Sequence, residues 1–261
     1  MENDLSLTDR RARILELLRT NGKVKVSELS ARFDVSEVCI RNDLTELENE
    51  GQLARVHGGA VSSYSSYYHM SLAQRLNTNR GGKESIANTI ADMVRDHQTV
   101  IMNAGTTTLE VMRKLAKKKE ITIVTNSVVL ALEGAKHKNL HIILLGGEVD
   151  YEYQYVYGTI TMKQLRDFYA DWLILSVDGI DAKFGLSTYY DKEADISRQM
   201  IDQAKQTVAA ADHTKIGRVT FCNIAKANAV DCVVTTPEAD QDVIRELENE
   251  GIQIIYSGRS E

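Results

Sequence analysis

Residues 24–60, VKVSELSARFDVSEVCIRNDLTELENEGQLARVHGGA, decide how the amino-terminal part of the chain folds. Ser27 to Phe33 puts Leu29 and Phe33 at i, i+4, the spacing of one helix face. Asp34-Val35-Ser36 then reads as a short turn whose serine caps the next helix. From Glu37 to Asn49, Ile40, Leu44 and Leu47 recur at i, i+4, i+7, a stripe that buries against the preceding helices. The opposite face carries Glu37, Cys39, Arg41, Asn42 and Thr45, short or hydrogen-bonding side chains in the first two turns. Beyond Gly51, Gln52 to Ala60 alternates short apolar residues with Arg55 and His57 and ends in Gly58-Gly59, which predicts a small basic hairpin.

Helix, turn, helix and hairpin in that order make a winged helix-turn-helix, whose second helix enters the major groove of DNA. Arg41 suits bidentate contact with guanine, and Asn42 suits adenine or a phosphate. Lys25, Ser36, Glu37, Cys39, Arg41, Asn42, Thr45, Arg55 and His57 are therefore the expected DNA-contacting residues. The competing reading is a helical hairpin with a merely solvated face. Residues 1–60 hold nine Lys/Arg against eleven Asp/Glu, not the basic excess of a general nucleic-acid binder. Arg10, Arg11, Lys23, Lys25, Arg41 and Arg55 are expected to collect on the DNA side, with Glu46, Glu48 and Glu50 at the far end of the recognition helix. So modest a phosphate footprint implies reliance on dimerisation and direct readout. Cys39 is expected to pack and to contact bases, with Arg41 its only basic neighbour.

SEVCIRNDLTELENEG followed by RVHGGA resembles the amino-terminal domain of the DeoR family of bacterial transcriptional regulators. That family has Ser-x-x-Thr-hydrophobic-Arg-basic-Asp-Leu, then Leu-x-x-x-Gly and a His-Gly-Gly-Ala wing. Cys39 stands where the family usually has Thr, and Asn42 where a second basic residue is common. Both positions face outward, so the departures bear on the base sequence read.

The chain has 261 residues, 43% of them hydrophobic, enough for two domains with proper cores. A net charge of −6 gives no sign of a membrane surface as partner. No apolar run approaches the ~20 residues of a membrane span, and MENDLSLTDRRAR has no secretory apolar region, so a cytoplasmic protein is expected. Cys39, Cys222 and Cys232 lack metal-ligand spacing, which predicts a reducing compartment and no metal or cofactor. The expected division is a DNA-binding domain at 1–60, a linker rich in Ser, Tyr, Asn and Gly at 61–82, and a sensor domain at 83–261.

From Gln98 onward apolar runs alternate with helical stretches, the signature of a Rossmann-like α/β domain with a mainly parallel sheet. Strands are predicted at 99–103, 121–125, 141–145, 172–177, 207–211, 230–235 and 253–256. Helices are predicted at 83–96, 108–118, 128–137, 161–169, 193–206 and 240–250. In such sheets ligands bind beyond the carboxyl ends of the strands, so the loops there are the candidates for chemistry. Asn103-Ala104-Gly105-Thr106-Thr107-Thr108 opens a helix with free N–H groups and hydroxyls suited to a phosphate. Thr125-Asn126-Ser127, Gly146-Gly147-Glu148, Asp178-Gly179-Ile180-Asp181 with Gly185 to Thr188 and Glu193, and Asp212-His213-Thr214-Lys215 follow later strands. Taken singly, each is also an ordinary set of turn and cap residues.

In this order they resemble the DeoR effector domain, which in turn resembles ribose-5-phosphate isomerase. Arg75 and Lys83 match an Arg before the first helix of that domain and a Lys at its start. The resemblance makes Gly105-Thr106-Thr107-Thr108 the phosphate loop and Asp178-Gly179-Ile180-Asp181 the paired-carboxylate loop. It sets Glu193 near the isomerase general base and Lys215 as a substrate-contacting lysine. Asn103 replaces a common Asp, which implies a different sugar hydroxyl read. Lys83, Asn103, Gly105, Thr106, Thr107, Thr108, Asn126, Gly147, Asp178, Gly179, Asp181, Glu193 and Lys215 are thus the expected effector residues. The rival is an isomerase, which needs a base and a cation to polarise the carbonyl. Where those enzymes have Lys-Gly-Gly-Gly, this chain has Phe184-Gly185-Leu186-Ser187, with Lys183 one residue earlier. The expectation is a repressor of a carbohydrate-utilisation operon, released from operator DNA by a phosphorylated sugar or sugar derivative. Dimers are expected, since one recognition helix spans too few bases, and the family resemblance implies dimers or tetramers.

Overall fold

The computed structural model describes residues 7–21, 23–49, 52–56, 58–62, 70 and 72–258. The chain forms two compact units, Met1–Asn79 and Arg80–Glu261.

The first unit runs α1 (Leu7–Asn21), β1 (Lys23–Lys25), α2 (Val26–Phe33), α3 (Glu37–Asn49), β2 (Leu53–Val56), β3 (Gly59–Ser62) and α4 (Leu72–Asn77). Ile40, Leu44 and Leu47 of α3 are buried against Ile14 and Leu18 of α1, Leu29 and Phe33 of α2, and Leu53 of β2. Asp34 ends α2 in the left-handed region, where its N–H donates to the Ser30 carbonyl. Ser36 caps α3, its hydroxyl accepting the Cys39 N–H at 3.2 Å. The hairpin is wider than expected, because β1 pairs with β3 to make an antiparallel sheet in the order β1-β3-β2. A three-residue strand shows no period, so the sequence gives no sign of it. Its presence explains Gly59, where a Cβ would lie 2.1 Å from the Val24 carbonyl oxygen.

The segment expected as linker, 61–82, contains the end of β3, the helix α4 and the first turn of α5 (Arg80–Met93). Gly81 and Gly82 are poor helix formers, but burial of Ile86, Ala87, Ile90 and Ala91 along one face of α5 overrides them.

The second unit continues with β4 (Thr99–Met102), α6 (Thr106–Leu115), β5 (Ile121–Thr125), α7 (Val128–Gly134) and β6 (Leu140–Leu144). Next come β7 (Glu148–Asp150), β8 (Tyr155–Tyr157), α8 (Thr159–Leu165), β9 (Ala170–Ser176), β10 (Gly179–Asp181), β11 (Gly185–Thr188) and α9 (Asp191–Ile201). It closes with β12 (Ala204–Ala210), β13 (Cys222–Ala225), β14 (Cys232–Thr235), α10 (Gln241–Asn249) and β15 (Gln253–Tyr256). Seven strands form one parallel sheet in the order β15-β14-β12-β9-β4-β5-β6. Strands covered on both faces read as continuous apolar runs, which is why Thr99–Met102 and Trp172–Leu175 stand out in the sequence. The helix expected at 193–206 ends at Ile201, because β12 takes Ala204 to Gln206 to pair with β9. Two small antiparallel pieces were not predicted: the hairpin β7-β8 and the sheet β10-β11-β13. Gly185 to Thr188, read as loop, is strand β11.

The strand order fixes where a ligand sits. After β4 the chain moves outward through β5 to β6, then returns to place β9 on the other side of β4 and continues through β12 to β15. The order therefore reverses between β4 and β9, and the crevice beyond their carboxyl ends is the favoured ligand site of an open α/β sheet.

Candidate DNA-reading face and effector pocket

On α3, Glu37, Arg41 and Asn42 are exposed, and Cys39 and Thr45 are partly so. Arg41 forms an i, i+4 ion pair with Glu37. Thr45 donates to the Arg41 carbonyl at 2.8 Å and accepts from Arg55 Nη1 of the wing at 3.0 Å. Lys25 pairs with Glu28 at 2.9 Å. Exposed pairs of this kind contribute little, so they hold the side chains loosely and release them to a stronger partner. His57 lies outside the described residues.

Arg10 and Arg11 correct the expected basic surface. Asp43 of α3 is buried and takes Arg10 Nε at 2.6 Å and Arg11 Nε at 3.2 Å. Hydrogen bonding to Asp43 raises the Arg10 pKa against the opposing effect of its own burial. The two arginines thus tie α1 to the recognition helix. Arg10 Nη2 also donates to Cys39 Sγ at 3.3 Å, so Arg41 is not the only basic group near that thiol. The contact was invisible in sequence because α1 and α3 meet only in the folded unit.

At the strand reversal, Asn103 and Ser176 join β4 to β9: Asn103 Nδ2 donates to the Ser176 carbonyl, and the Ser176 N–H donates to Asn103 Oδ1, both at 2.8 Å. An aspartate lacks the donor for the first of these bonds. Asn103 is therefore a clamp between strands, whatever part it takes in reading a sugar hydroxyl. Asn126 likewise holds structure, accepting from the Ala104 N–H at 3.2 Å and donating to the Val156 carbonyl at 3.2 Å. Asp181 builds its own turn by accepting the N–H groups of Lys183 and Phe184 at 2.9 and 2.8 Å. Gly147 and Gly179 are sites of close approach. A Cβ on them would lie 2.1 Å from Thr161 Oγ1 and 2.3 Å from the Arg218 carbonyl oxygen.

The remaining candidates fall into three groups. Gly105 precedes α6 without a side-chain cap, and a Cβ there would lie 2.5 Å from Ser176 Cβ. The first turn, Thr106, Thr107 and Thr108, is buried. Thr108 turns inward, donating at 2.9 Å to the carbonyls of Asn103 and Gly105, which fixes the loop. A buried helix start with its first N–H groups uncapped by a side chain suits an anion. Beyond β12, Lys215 is buried, as is Lys83 of α5. Both act on buried Asp212. Burial pushes that carboxyl up, but Lys215, the Thr214 hydroxyl, Lys83 and His213 outweigh it and hold the group below the usual carboxylate range.

Beyond β9, Thr188 links two carboxylates: its hydroxyl lies 3.1 Å from Asp178 Oδ2 and 2.6 Å from Glu193 Oε2. One hydroxyl hydrogen serves one acceptor at a time, and carboxylates accept only, so the cluster is suited to hydroxyl donors. Tyr155 of β8 is buried and shares its surroundings with Glu193, Asp150 and Asp191. Burial first, then those charges, push its phenol far above the usual value, so it stays a hydrogen-bond donor. Thr188, Tyr155 and Asp212 were not among the expected site residues. For Tyr155 the available signal was the tyrosine alternation in 151–157, YEYQYVY, which begins in the turn before β8. A separate cavity of about 740 Å³ between α8 and α9, lined by Tyr157, Met162, Arg166, Lys192, Arg198 and Gln199 among others, contains none of the expected effector residues. Among the described residues no group of three or more His, Cys, Asp or Glu side chains is placed to hold a metal ion.

Comparison with known proteins bears on both units. The DeoR-like helix-turn-helix domain matches residues 10–66, and the DeoR C terminal sensor domain matches residues 78–236. The chain belongs to the DeoR family. Among its DeoR relatives, the transcriptional repressor AccR of Agrobacterium fabrum (strain C58 / ATCC 33970) is 34% identical over 231 residues, spanning 88% of this chain and 90% of AccR. The glycerol-3-phosphate regulon repressor of Escherichia coli (strain K12) is 31% identical over 250 residues, spanning 95% of this chain and 98% of that protein. Among solved structures, D-ribose-5-phosphate isomerase in complex with phospho-erythronic acid shares 16% identity over 51% of this chain and 52% of that one, with a TM-score of 0.39. A likeness so slight carries no argument about activity. DeoR proteins are transcriptional regulators, and the isomerase alternative gives way to that. Among the described residues no helix is long and apolar enough to cross a membrane.

Proposed function

We propose that the protein is a cytoplasmic repressor of a carbohydrate-utilisation operon, released from operator DNA when a phosphorylated sugar or sugar derivative enters the second unit. The observation that supports this reading is that anion-favouring groups stand beyond the carboxyl ends of the strands on either side of β9. The buried start of α6 offers N–H groups there, and buried Lys83 and Lys215 share the neighbourhood of Asp212. Two relatives named as repressors, one of a glycerol-3-phosphate regulon, support the direction of control and the phosphorylated class.

In this reading the phosphate rests on Gly105 to Thr108, with Lys83 and Lys215 as its cationic surroundings. Thr188, Asp178 and Glu193, with Tyr155 beside them, meet the sugar hydroxyls. Asn103, Asn126, Gly147, Gly179 and Asp181 act indirectly, by holding the loops that carry these groups. On DNA, Arg41 exchanges the weak Glu37 pair for a guanine edge, while Asn42, Cys39, Thr45, Lys25 and Arg55 complete the contact surface. Ser36 keeps α3 capped. Two copies are required for useful specificity, since one recognition helix reads too few base pairs.

Calorimetry on the parent and on Thr106→Glu tests the effector site. The parent is expected to bind a phosphorylated sugar far more tightly than the free sugar. The variant, with a carboxylate at the helix start, is expected to lose that binding while keeping operator affinity. Tight binding of the phosphorylated sugar by the variant removes the basis for this site.

A further inference from the structure

α3 carries four aliphatic side chains, and they do not share a face. Ile40 and Leu44 are 0% exposed and Leu47 is 1% exposed, whereas Val38 is 62% exposed. Val38 stands in the first turn, two residues before Ile40, which sets it nearly opposite the buried stripe on a helix of ~3.6 residues per turn. Asn42 and Thr45 follow it at i+4 and i+7, so Val38 heads the outward line of the helix. Polar groups beside it are engaged with one another: Glu37 pairs with Arg41, and Thr45 joins the Arg41 carbonyl to Arg55. A single exposed valine is common on any protein surface. Here it contributes nothing to folding, because it buries little area and its branched side chain is a weaker helix former than the straight-chain residues. Val38 was not among the expected DNA-contacting residues.

We infer that Val38 reads a thymine through its C5-methyl group, so that the outward face of α3 makes an apolar base contact as well as polar ones. The chemistry of the major groove names the partner. Adenine, guanine and cytosine present hydrogen-bond donors and acceptors there, and thymine alone adds a methyl group. Valine can satisfy neither a donor nor an acceptor, so against any other base it covers a polar edge and replaces no bond. Against thymine, two apolar surfaces leave water together. The first turns of a recognition helix are the part that meets base edges, and Ser36 keeps this turn formed by capping the Cys39 N–H. Arg41 stands one turn further along, so apolar readout of a thymine and polar readout of a guanine belong to the same half-site. The inference rests on the reading of α3 as the recognition helix, and adds to it the base that Val38 specifies.

The test lets the full chain select its site from a pool of random duplexes, and then replaces each thymine of that site in turn by deoxyuridine, which removes the methyl group and nothing else. At one thymine of a half-site the replacement is expected to weaken binding by the parent about 4-fold, the worth of one buried methyl group. Val38→Ser is expected to bind the thymine and deoxyuridine duplexes alike at that position, and to select no longer for thymine there. The scan on the parent needs no variant. A parent that selects a site but is indifferent to every thymine methyl overturns the inference and leaves the recognition helix standing. A Val38→Ser protein that stays as sensitive as the parent at the same thymine overturns it too. A parent that selects no sequence at all overturns the DNA reading, and this inference with it.

Discussion

The two units handle their chemistry-bearing side chains in opposite ways. In the amino-terminal unit the groups facing DNA are exposed and held by short-range pairs, Arg41 with Glu37 and Lys25 with Glu28, while the long-range ties lie behind them at Asp43. In the carboxyl-terminal unit the proposed site is largely buried and tied by bonds spanning tens of residues, such as Asn103 to Ser176 and Asn126 to Val156. Binding and stability are thus separable in the first unit and fused in the second. A reader of sequences must keep its contact groups solvated until DNA arrives. A small-molecule pocket must hold its polar groups in place while the cavity is dry enough for them to matter.

Substitutions that respect or violate this division sharpen it. Asp43→Ala leaves buried Arg10 without its carboxylate, and removing one partner of a buried pair costs about 3–5 kcal/mol. Unfolding followed by far-UV circular dichroism is expected to show the amino-terminal unit melting earlier. Fluorescence of Trp172, the chain's one tryptophan, is expected to report an unshifted transition for the other unit. A joint shift of both signals would mean that the units do not unfold separately.

Asn103→Ala removes both bonds to Ser176 and leaves a partly buried carbonyl and N–H unpaired, a loss of about 1–3 kcal/mol. Here the Trp172 transition moves and effector affinity falls with it. Unchanged stability with altered sugar preference would instead restore Asn103 as a ligand-reading residue.

Arg41→Ala gives the smallest effect on folding, since only an exposed pair is lost, but costs about 1–3 kcal/mol of operator discrimination at one base pair. Equal weakening on operator and random DNA would make Arg41 a phosphate contact.

Much of this was legible before any coordinates. The i, i+4, i+7 stripe of Ile40, Leu44 and Leu47 predicted the buried face of α3, and continuous apolar runs predicted all seven strands of the parallel sheet to within a few residues. Both signals are periodic and local, which is what a linear reading detects. The candidate site was legible as a set of loops at strand ends, but the bonds its side chains make were not. Nothing in Asn103 or Asp181 announces that its side chain is spent on backbone, because the partners are either 73 residues away or on the residue's own turn. Thr188 was read inside a loop because β11 holds only four residues, and Tyr155 was passed over because three-residue β8 shows its alternation only together with the turn before it. Arg10 was assigned to the surface by its charge, whereas Asp43 draws it inside.

The central claim is that a phosphorylated ligand in the second unit controls DNA binding by the first. A mobility shift of the chain on the DNA upstream of its own gene, challenged with a panel of sugar phosphates and the matching free sugars, tests it most directly. Release by one or a few phosphorylated members, with no release by their unphosphorylated counterparts, is the predicted result. Release by free sugars at the same concentrations, or binding indifferent to every member of the panel while the phosphorylated ligands still occupy the protein, would contradict it.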